Sequence, residues 1–262
     1  MIGFIGGGNM AEALIKGMTA KGMKDIFVSE LRGDRRGELQ KAYGIKVTAS
    51  NTEVASACEI ILLAVKPQHM DAVLTEIAPT VNDTKTVVSI AAGITLSYLE
   101  SRLKTRQLIR VMPNTPALVQ EGMSVMSLCG CSYGPELNVV KSILMSIGKV
   151  LVLPEEMMNA VTALSGSGPG FIALFIEAMI ASGQKMGLSA SDSAELAVQT
   201  LLGTAKLLDT GMPPSRLRTM VTSPGGTTEA GLKVFEERSL RATVSEALLA
   251  ARKRAEELGR GE

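Results

Sequence analysis

The chain opens with Met1-Ile2-Gly3-Phe4-Ile5-Gly6-Gly7-Gly8-Asn9-Met10-Ala11, an apolar run followed by a G-x-G-x-x-A pattern. In this pattern Gly6 permits a tight turn, Gly8 lets the backbone approach a pyrophosphate, and the small Ala11 lets a helix pack on the preceding strand. A helix that begins here presents free N–H groups and the positive end of its dipole to phosphate. The stretch therefore predicts a strand, a dinucleotide-binding loop and a helix.

Short β-rich runs and helical patterns alternate over the first half, which is typical of a mostly parallel sheet with helices on both faces. The predicted strands are residues 2–5, 26–29, 46–48, 60–65, 86–90, 108–112, 123–127 and 149–152. Beyond them only helices are predicted, at residues 170–186, 191–208, 214–221, 227–236 and 240–258. The sequence thus predicts an α/β chain, with an N-terminal Rossmann-type dinucleotide-binding domain at residues 1–154 and an all-α C-terminal dimerisation domain at residues 155–262.

The helix predicted at residues 170–186 is apolar on nearly all sides, and it reads FIALFIEAMI over residues 171–180. Such a helix is normally buried on every side, so we expect a second subunit to cover it, with a dimer as the smallest unit. Residues 157–176 carry no charge, but Gly166, Gly168 and Pro169 interrupt them, so we expect no membrane span.

Composition narrows the range of functions. The net charge of +1, from 27 basic and 26 acidic residues, argues against binding nucleic acid through its phosphates. Cys58, Cys129 and Cys131 form no C-x-x-C pair, and His69 is the only histidine, which argues against a disulfide framework, a metal site and a histidine-based triad. No basic segment precedes the apolar start, so we expect a soluble, cytoplasmic protein that binds neither nucleic acid nor membrane.

Several unusual segments follow predicted strands, at the edge where dinucleotides bind in such sheets. They are Ala64-Val65-Lys66-Pro67, Ala91-Ala92-Gly93 and the stiff Pro113-Asn114-Thr115-Pro116, which can fix a polar group beside a ligand. In the helical half, residues 164–170 and 222–228 combine hydroxyls, glycines and a proline ahead of a helix. That arrangement is suited to binding a carboxylate.

The residues after the second predicted strand bear on the choice of dinucleotide. Glu30 ends that strand, and an acidic side chain there hydrogen-bonds a ribose 2′-hydroxyl, which favours NAD. Arg32, Arg35 and Arg36 follow, and a guanidinium could hold the 2′-phosphate of NADP or belong to a solvated helix face. The sequence leaves both NADPH and NADH open as the cofactor.

Taken together, five segments resemble pyrroline-5-carboxylate reductases in their order and spacing: residues 6–11, 64–67, 110–116, 164–169 and 223–228. The resemblance covers essentially the whole chain, and the last segment is its most specific part. It implies an oxidoreductase that reduces 1-pyrroline-5-carboxylate to L-proline with NADPH or NADH, the last step of proline biosynthesis. It also implies a homo-oligomer, in which dimers can assemble into a decamer.

The same resemblance, with the charge and loop arguments for Arg32 and Asn114, assigns roles to individual residues. The cofactor-binding set is Ile5, Gly6, Gly7, Gly8, Asn9, Met10, Glu30, Arg32, Asn51, Ala64, Val65, Lys66, Pro67, Ile90, Ala91, Ala92 and Asn114. The substrate-binding set, which chiefly holds the carboxylate, is Ser223, Gly225, Gly226, Thr227 and Thr228. Thr228 matches the hydroxyl that approaches the ring nitrogen, and Lys66 contacts the cofactor or relays a proton, so these two are the candidate catalytic residues.

The chain departs from the family at a few positions. Glu30 stands where many members have Asn or Ser, and Gly170 and Thr227 each replace a common Ala. One alternative function is a β-hydroxyacid or imine dehydrogenase of similar architecture, but such enzymes carry a lysine within the helix at residues 170–186, where Lys185 lies only near the far end. The other alternative is a non-catalytic NAD(P)-binding sensor, which would not need residues 223–228.

Overall fold

A computed structural model, described for residues 1–129 and 135–260, contains one eight-stranded sheet. Its strands are β1 (Ile2–Ile5), β2 (Ile26–Ser29), β3 (Lys46–Thr48), β4 (Ile60–Leu63), β5 (Thr86–Ser89), β6 (Leu108–Met112), β7 (Gly122–Leu128) and β8 (Gly148–Val152). The strand order is β3-β2-β1-β4-β5-β6-β7-β8, and β6 with β7 is the antiparallel pair among parallel neighbours. The expected mostly parallel sheet is therefore confirmed.

Helices cover both faces of this sheet. They are α1 (Asn9–Ala20), α2 (Gly33–Tyr43), α3 (Asn51–Ala57), α4 (Met70–Ile77), α5 (Leu96–Arg102) and α6 (Pro135–Leu144). On β1, Phe4 packs with Leu14 in one apolar cluster, whereas the adjacent Ile5 packs with Phe27 and Leu63 in another. Because successive side chains of a strand point to opposite faces, the sheet is buried on both faces. The ends of the strands therefore remain for ligand binding.

Two predicted strands end early. The strand predicted at residues 60–65 ends at Leu63, because the chain then turns into the short 3₁₀ helix Pro67–His69, although Ala64 still donates its N–H to the Ile5 carbonyl at 2.8 Å. The strand predicted at residues 86–90 ends at Ser89. Among the predicted thiols, Cys131 lies outside the described residues.

The second half is helical, as predicted. Its helices are α7 (Met158–Val161), α8 (Gly168–Lys185), α9 (Ala190–Asp209), α10 (Pro214–Met220), α11 (Thr227–Glu237) and α12 (Leu240–Arg260). Contacts divide the chain into two compact units, Met1–Ser167 with Ala251–Glu262, and Gly168–Ala250. The domain boundary expected at residue 154 is not tested by this division and stays a prediction.

Helix α8 is exposed over most of its apolar surface within a single chain. Gly183 is its one buried residue, whereas Ile172 is 50% exposed and Leu174 is 66% exposed. A helix with this surface needs a covering partner, as the sequence argument expects.

The expected interruption of the apolar segment is present but short: it consists of a π-helical turn and a bend at Ser167. Pro169 lies in the first turn of α8, where a missing N–H group is tolerated, and the π-helical turn Thr162–Gly166 follows α7 directly. By length and composition alone, the largely helical residues Glu155–Lys185 include a segment apolar enough to cross a membrane, and little of that segment is buried within a single chain.

Candidate cofactor and substrate sites

The loop between β1 and α1 has the geometry that a dinucleotide site needs. Gly6 has a φ of +98°, and a Cβ built there would lie 2.8 Å from the Ala64 carbonyl oxygen, so a side chain does not fit. Gly8 has no atom within 4 Å of its Cβ position, and it precedes α1 without a side-chain hydrogen bond that caps the helix. The first-turn N–H groups of α1, from Asn9 onward, are therefore open to an anion.

Glu30 lies against this loop from the neighbouring strand β2. Its Oε2 accepts a hydrogen bond from the Gly7 N–H at 3.0 Å, and its Oε1 accepts from the Arg32 N–H at 3.1 Å and from Arg32 Nε at 3.2 Å. Burial by itself raises the pKa of Glu30, but the hydrogen bonds from Arg32 and Gly7 outweigh burial and hold this pKa below its usual value. The carboxylate is therefore ionised at neutral pH.

Arg35, from α2, ties the loop to its surroundings in a way that the sequence did not reveal. Its Nε donates to the Gly7 carbonyl at 2.9 Å, while its guanidinium also pairs with Glu12 and with Glu38. The hydrogen bond from Arg35 lowers the pKa of Glu12, whose other oxygen accepts from the Tyr43 hydroxyl at 2.9 Å. Since the Arg35 side chain is only 15% exposed, this network fixes the loop from behind.

The predicted adenosine-side residue Asn51 begins α3, beside the carboxyl end of β2. Its Oδ1 accepts from the Ser29 hydroxyl at 2.7 Å, and its Nδ2 donates to Glu76 at 2.7 Å. The Ser50 hydroxyl caps α3 by accepting from the Glu53 N–H. Asn51 is thus held at the same sheet edge as Glu30.

The segments predicted to line the nicotinamide also come to one edge. Ala64–Pro67 follow β4 and Ile90–Ala92 follow β5, and these strands lie next to β1 and to each other in the order β1-β4-β5. The carboxyl ends of adjacent parallel strands meet at one edge, so both segments flank the loop after β1. Lys66 is exposed there, and its Nζ makes no hydrogen bond to any residue that the structure describes.

Asn114, a predicted cofactor ligand, has its amide engaged within the protein. Its Oδ1 accepts from the Met123 N–H at 2.8 Å, while its Nδ2 donates to the backbone and side-chain oxygens of Ser165, each at 3.2 Å. The side chain therefore braces the proline-bracketed loop against the segment that leads into α8. Contact of Asn114 with a cofactor stays a prediction.

The second unit contains the predicted substrate-binding residues on the loop before α11. Gly225 has a φ of +70°, and Gly226 donates its N–H to the Ser223 carbonyl at 3.0 Å and precedes α11 without capping it by a side chain. Thr227 and Thr228 occupy the first turn of α11, so their N–H groups and hydroxyls are clustered at a positive helix end. The roles of these residues stay predictions.

One contact in that loop was not foreseen. The Gly225 N–H donates to a carboxylate oxygen of Glu229 at 2.7 Å, so the chain's own carboxylate is held by one of the N–H groups assigned to the substrate. Glu229 lies in the first turn of α11, which is a common place for an acidic residue, and nothing in the sequence indicates that it folds back onto the loop. The contact shows that a carboxylate fits this N–H group.

Metal chemistry finds no support in the described part of the chain. No group of three or more His, Cys, Asp or Glu side chains comes together there in a way that could hold a metal ion.

The Cys58 thiol is buried between the sheet and α3, and burial raises its pKa to about 11, which makes it unreactive near neutral pH.

Comparison with known proteins gives full-length similarity. One protein-family model, described as pyrroline-5-carboxylate reductase dimerisation, matches residues 155–258, and a second, described as NADP oxidoreductase coenzyme F420-dependent, matches residues 1–93. A pyrroline-5-carboxylate reductase from Synechocystis sp. is 42% identical over 99% of this chain and 98% of the relative, and one from Pseudomonas aeruginosa is 40% identical over 98% and 96%.

Solved structures agree with this result. The structure of a pyrroline-5-carboxylate reductase from Coxiella burnetii superposes with a TM-score of 0.92 at 35% identity, covering 98% of this chain and 97% of that one. A pyrroline carboxylate reductase from Plasmodium falciparum, solved with NADP bound, gives a TM-score of 0.88 at 32% identity, with the same coverage.

Proposed function

This chain belongs to the pyrroline-5-carboxylate reductase family, and on that premise we propose that it reduces 1-pyrroline-5-carboxylate to L-proline with NADPH or NADH. One structural observation carries the proposal: α1 and α11 both begin behind a glycine, Gly8 and Gly226, without a side chain that caps them. An enzyme for this reaction needs two anion sites, one for a pyrophosphate and one for the substrate carboxylate. The two uncapped helix starts are suited to these two roles.

The first unit would hold the cofactor. Residues 5–10 present the open N–H groups that fit a pyrophosphate, and residues 64–67 and 90–92 lie beside them at the carboxyl edge of the sheet. When bound, the nicotinamide cofactor supplies the hydride that reduces the imine carbon. The protein contributes a rigid loop, which Arg35 fixes from behind, and this preorganisation lowers the entropic cost of binding in the productive orientation.

The second unit would hold the substrate. We assign Ser223 and residues 225–228 to the carboxylate, which would be bound by their hydroxyls, by the free first-turn N–H groups of α11 and by the Gly225 N–H once Glu229 leaves it. We assign the Thr228 hydroxyl to a hydrogen bond with the ring nitrogen. The protonated imine is itself the electrophile, so the reaction needs no strong acid from the protein. Lys66, with its exposed ammonium, is the side chain that we assign to proton relay.

The assembly proposed for the chain is a homodimer, five copies of which form a decamer. The dimerisation model covers the helices whose apolar side chains are exposed in one chain, among them Leu174 and Leu196 at 66% and 57% exposure. Light scattering coupled to gel filtration tests the size, and a stable dimer with no larger species would exclude the decamer. We also propose a cytoplasmic location, because the reaction consumes a reduced dinucleotide that cells maintain there.

The reaction itself is tested by incubating the purified protein with 1-pyrroline-5-carboxylate and each reduced cofactor. Cofactor oxidation at 340 nm, matched mole for mole by L-proline in amino-acid analysis, is the expected result. Binding of cofactor without turnover would favour the sensor alternative. Turnover of other cyclic imines or hydroxyacids, but not of this substrate, would favour a related dehydrogenase.

A further inference from the structure

We propose that the dinucleotide site selects NADH and that Glu30 is the residue that rejects the 2′-phosphate of NADPH. The inference rests on the proposed function in one respect, that a nicotinamide dinucleotide binds on the loop of residues 6–10. The sequence left the choice between NADH and NADPH open, since Glu30 favours NADH whereas the three arginines after it could favour NADPH.

The position of Glu30 is fixed by the backbone. Its N–H donates to the Thr48 carbonyl at 3.1 Å, and the carbonyl of the preceding Ser29 accepts from the Gly6 N–H at 2.9 Å. Its carboxylate is then held on the Gly7 N–H, within the loop that receives the pyrophosphate. In a dinucleotide the adenosine ribose is bonded directly to the pyrophosphate, so this carboxylate lies within reach of the ribose hydroxyls.

Gly7 also helps to position the Glu30 carboxylate. A Cβ at this position would lie 3.2 Å from the Glu30 Cβ, 3.3 Å from its Oε2 and 2.7 Å from Leu39 Cδ1. A side chain at Gly7 would therefore require Glu30 to move by a few tenths of an ångström, whereas the flexible end of Leu39 can rotate away. Glycine at this position lets the Glu30 carboxylate lie against the loop without that displacement.

The chemistry of an ionised carboxylate favours a hydroxyl over a phosphate. The Glu30 side chain is only 12% exposed, and Arg32 and Gly7 stabilise its charged form by hydrogen bonds. A carboxylate can only accept hydrogen bonds, and a ribose 2′-hydroxyl can donate one. A 2′-phosphate carries about −1.5 to −2 charges at neutral pH, so the ionised carboxylate repels it.

Two of the three arginines that could offset this repulsion are tied back to the protein, and the third is held beside Glu30. Arg35 is held by the Gly7 carbonyl and by acidic side chains on either side, whereas the guanidinium of Arg32 donates only its Nε to Glu30, next to the carboxylate. Arg36 donates to two backbone carbonyls, at 2.6 and 2.8 Å. A phosphate would have to displace acceptors from Arg35 and Arg36, and it could reach Arg32 only beside the Glu30 carboxylate, whereas a hydroxyl would leave all these hydrogen bonds in place.

Equilibrium binding tests the inference without any turnover. Calorimetric titrations of NADH and NADPH into the wild-type protein should give at least about tenfold tighter binding of NADH, which corresponds to one charge-assisted hydrogen bond. In Glu30→Ser the ratio of the two dissociation constants should fall by about tenfold or more, because the carboxylate is gone and Arg32 is released. Glu30→Gln, which keeps the size of the side chain, should move the ratio the same way.

Glu38→Gln is the matched control. It removes the same charge from the same region, but Glu38 is an exposed partner of the Arg35 side chain and its carboxylate makes no hydrogen bond to the loop in the described structure. The ratio should stay at its wild-type value. Because both cofactors are titrated into one sample, a partly unfolded variant changes the number of sites and leaves the ratio intact.

Two results would overturn the inference: wild-type protein that binds NADPH as tightly as NADH, or an unchanged ratio in both Glu30 variants. Failure of the proposed function looks different. Protein that binds NADH selectively but forms no L-proline with either cofactor would support the cofactor assignment and overturn the substrate assignment.

Discussion

Replacing Gly6 by alanine tests the geometry of the dinucleotide loop. A non-glycine residue at a φ of +98° costs about 1–3 kcal/mol, and its Cβ would lie 2.8 Å from a backbone carbonyl, that of Ala64, which cannot rotate away. Together these effects should lower the free energy of unfolding by about 2–4 kcal/mol. A change of that size should lower the melting temperature by roughly 5–15 °C in a chain of this length.

The neighbouring Gly8→Ala is the matched control, because the same atom is added in a different environment. Gly8 has an ordinary φ of −71° and open space at its Cβ position, so the melting temperature should change by no more than about 2 °C. The added methyl group does occupy the space that a pyrophosphate approaches, so cofactor affinity should fall about tenfold or more.

Thermal unfolding without ligand, followed by dinucleotide titration of each variant, separates the two effects. We predict that Gly6→Ala is strongly destabilised, and that Gly8→Ala is as stable as the wild-type protein but binds cofactor weakly. A Gly6→Ala protein with wild-type stability would refute the steric argument. A Gly8→Ala protein with wild-type affinity would show that no phosphate approaches this part of the loop.

Three further predictions concern the rest of the chain. Thr228→Ala should lower kcat about 10–100-fold, as the loss of one positioned hydrogen bond of roughly 1.5–3 kcal/mol predicts. The control Thr222→Ala, whose hydroxyl donates to the Arg218 carbonyl in α10, should leave kcat unchanged. Equal losses of kcat in the two variants would show that the Thr228 hydroxyl has no special role in turnover. Glu229→Ala should lower KM for the substrate severalfold at constant kcat, since it removes the side-chain oxygen that accepts from the Gly225 N–H. An unchanged KM would show that Glu229 and the substrate do not compete. Cys58, with its pKa of about 11, should resist iodoacetamide at pH 8 until the protein is unfolded. Mass spectrometry of the peptide that contains Cys58 measures the labelling, and rapid labelling of the native protein would contradict the burial of this thiol.

The fold was largely predictable because its strands carry strong local signals. Ile60–Leu63 is buried at every position, and a continuous apolar run bounded by turn residues is what a central parallel strand looks like in sequence. The glycine motif after β1 predicted the loop and the start of α1 correctly, because each glycine meets a local requirement of the backbone. Around Pro169 the predicted interruption is limited to a π-helical turn and a bend at Ser167, because a proline in the first turn of a helix does not break it.

The details of the candidate site could not be predicted, since they depend on side chains that are far apart in sequence. Glu30 and Gly7 are 23 residues apart, and their contact follows from the register of β2 beside β1. The availability of the nearby arginines for a phosphate depends on where α2 begins. In the structure the start of α2 lets Arg35 donate to the Gly7 carbonyl in the loop. The amide of Asn114 is likewise held by Ser165, 51 residues away.

The central claim is that this chain reduces the imine carbon of 1-pyrroline-5-carboxylate, and isotope transfer tests it most directly. The purified protein is incubated with the substrate and with NADH deuterated at both C4 positions of the nicotinamide, and the product is analysed by mass spectrometry and NMR. We predict L-proline that carries one deuterium, at C5. Proline without deuterium, proline labelled at another carbon, or no proline from protein that demonstrably binds NADH would contradict the account.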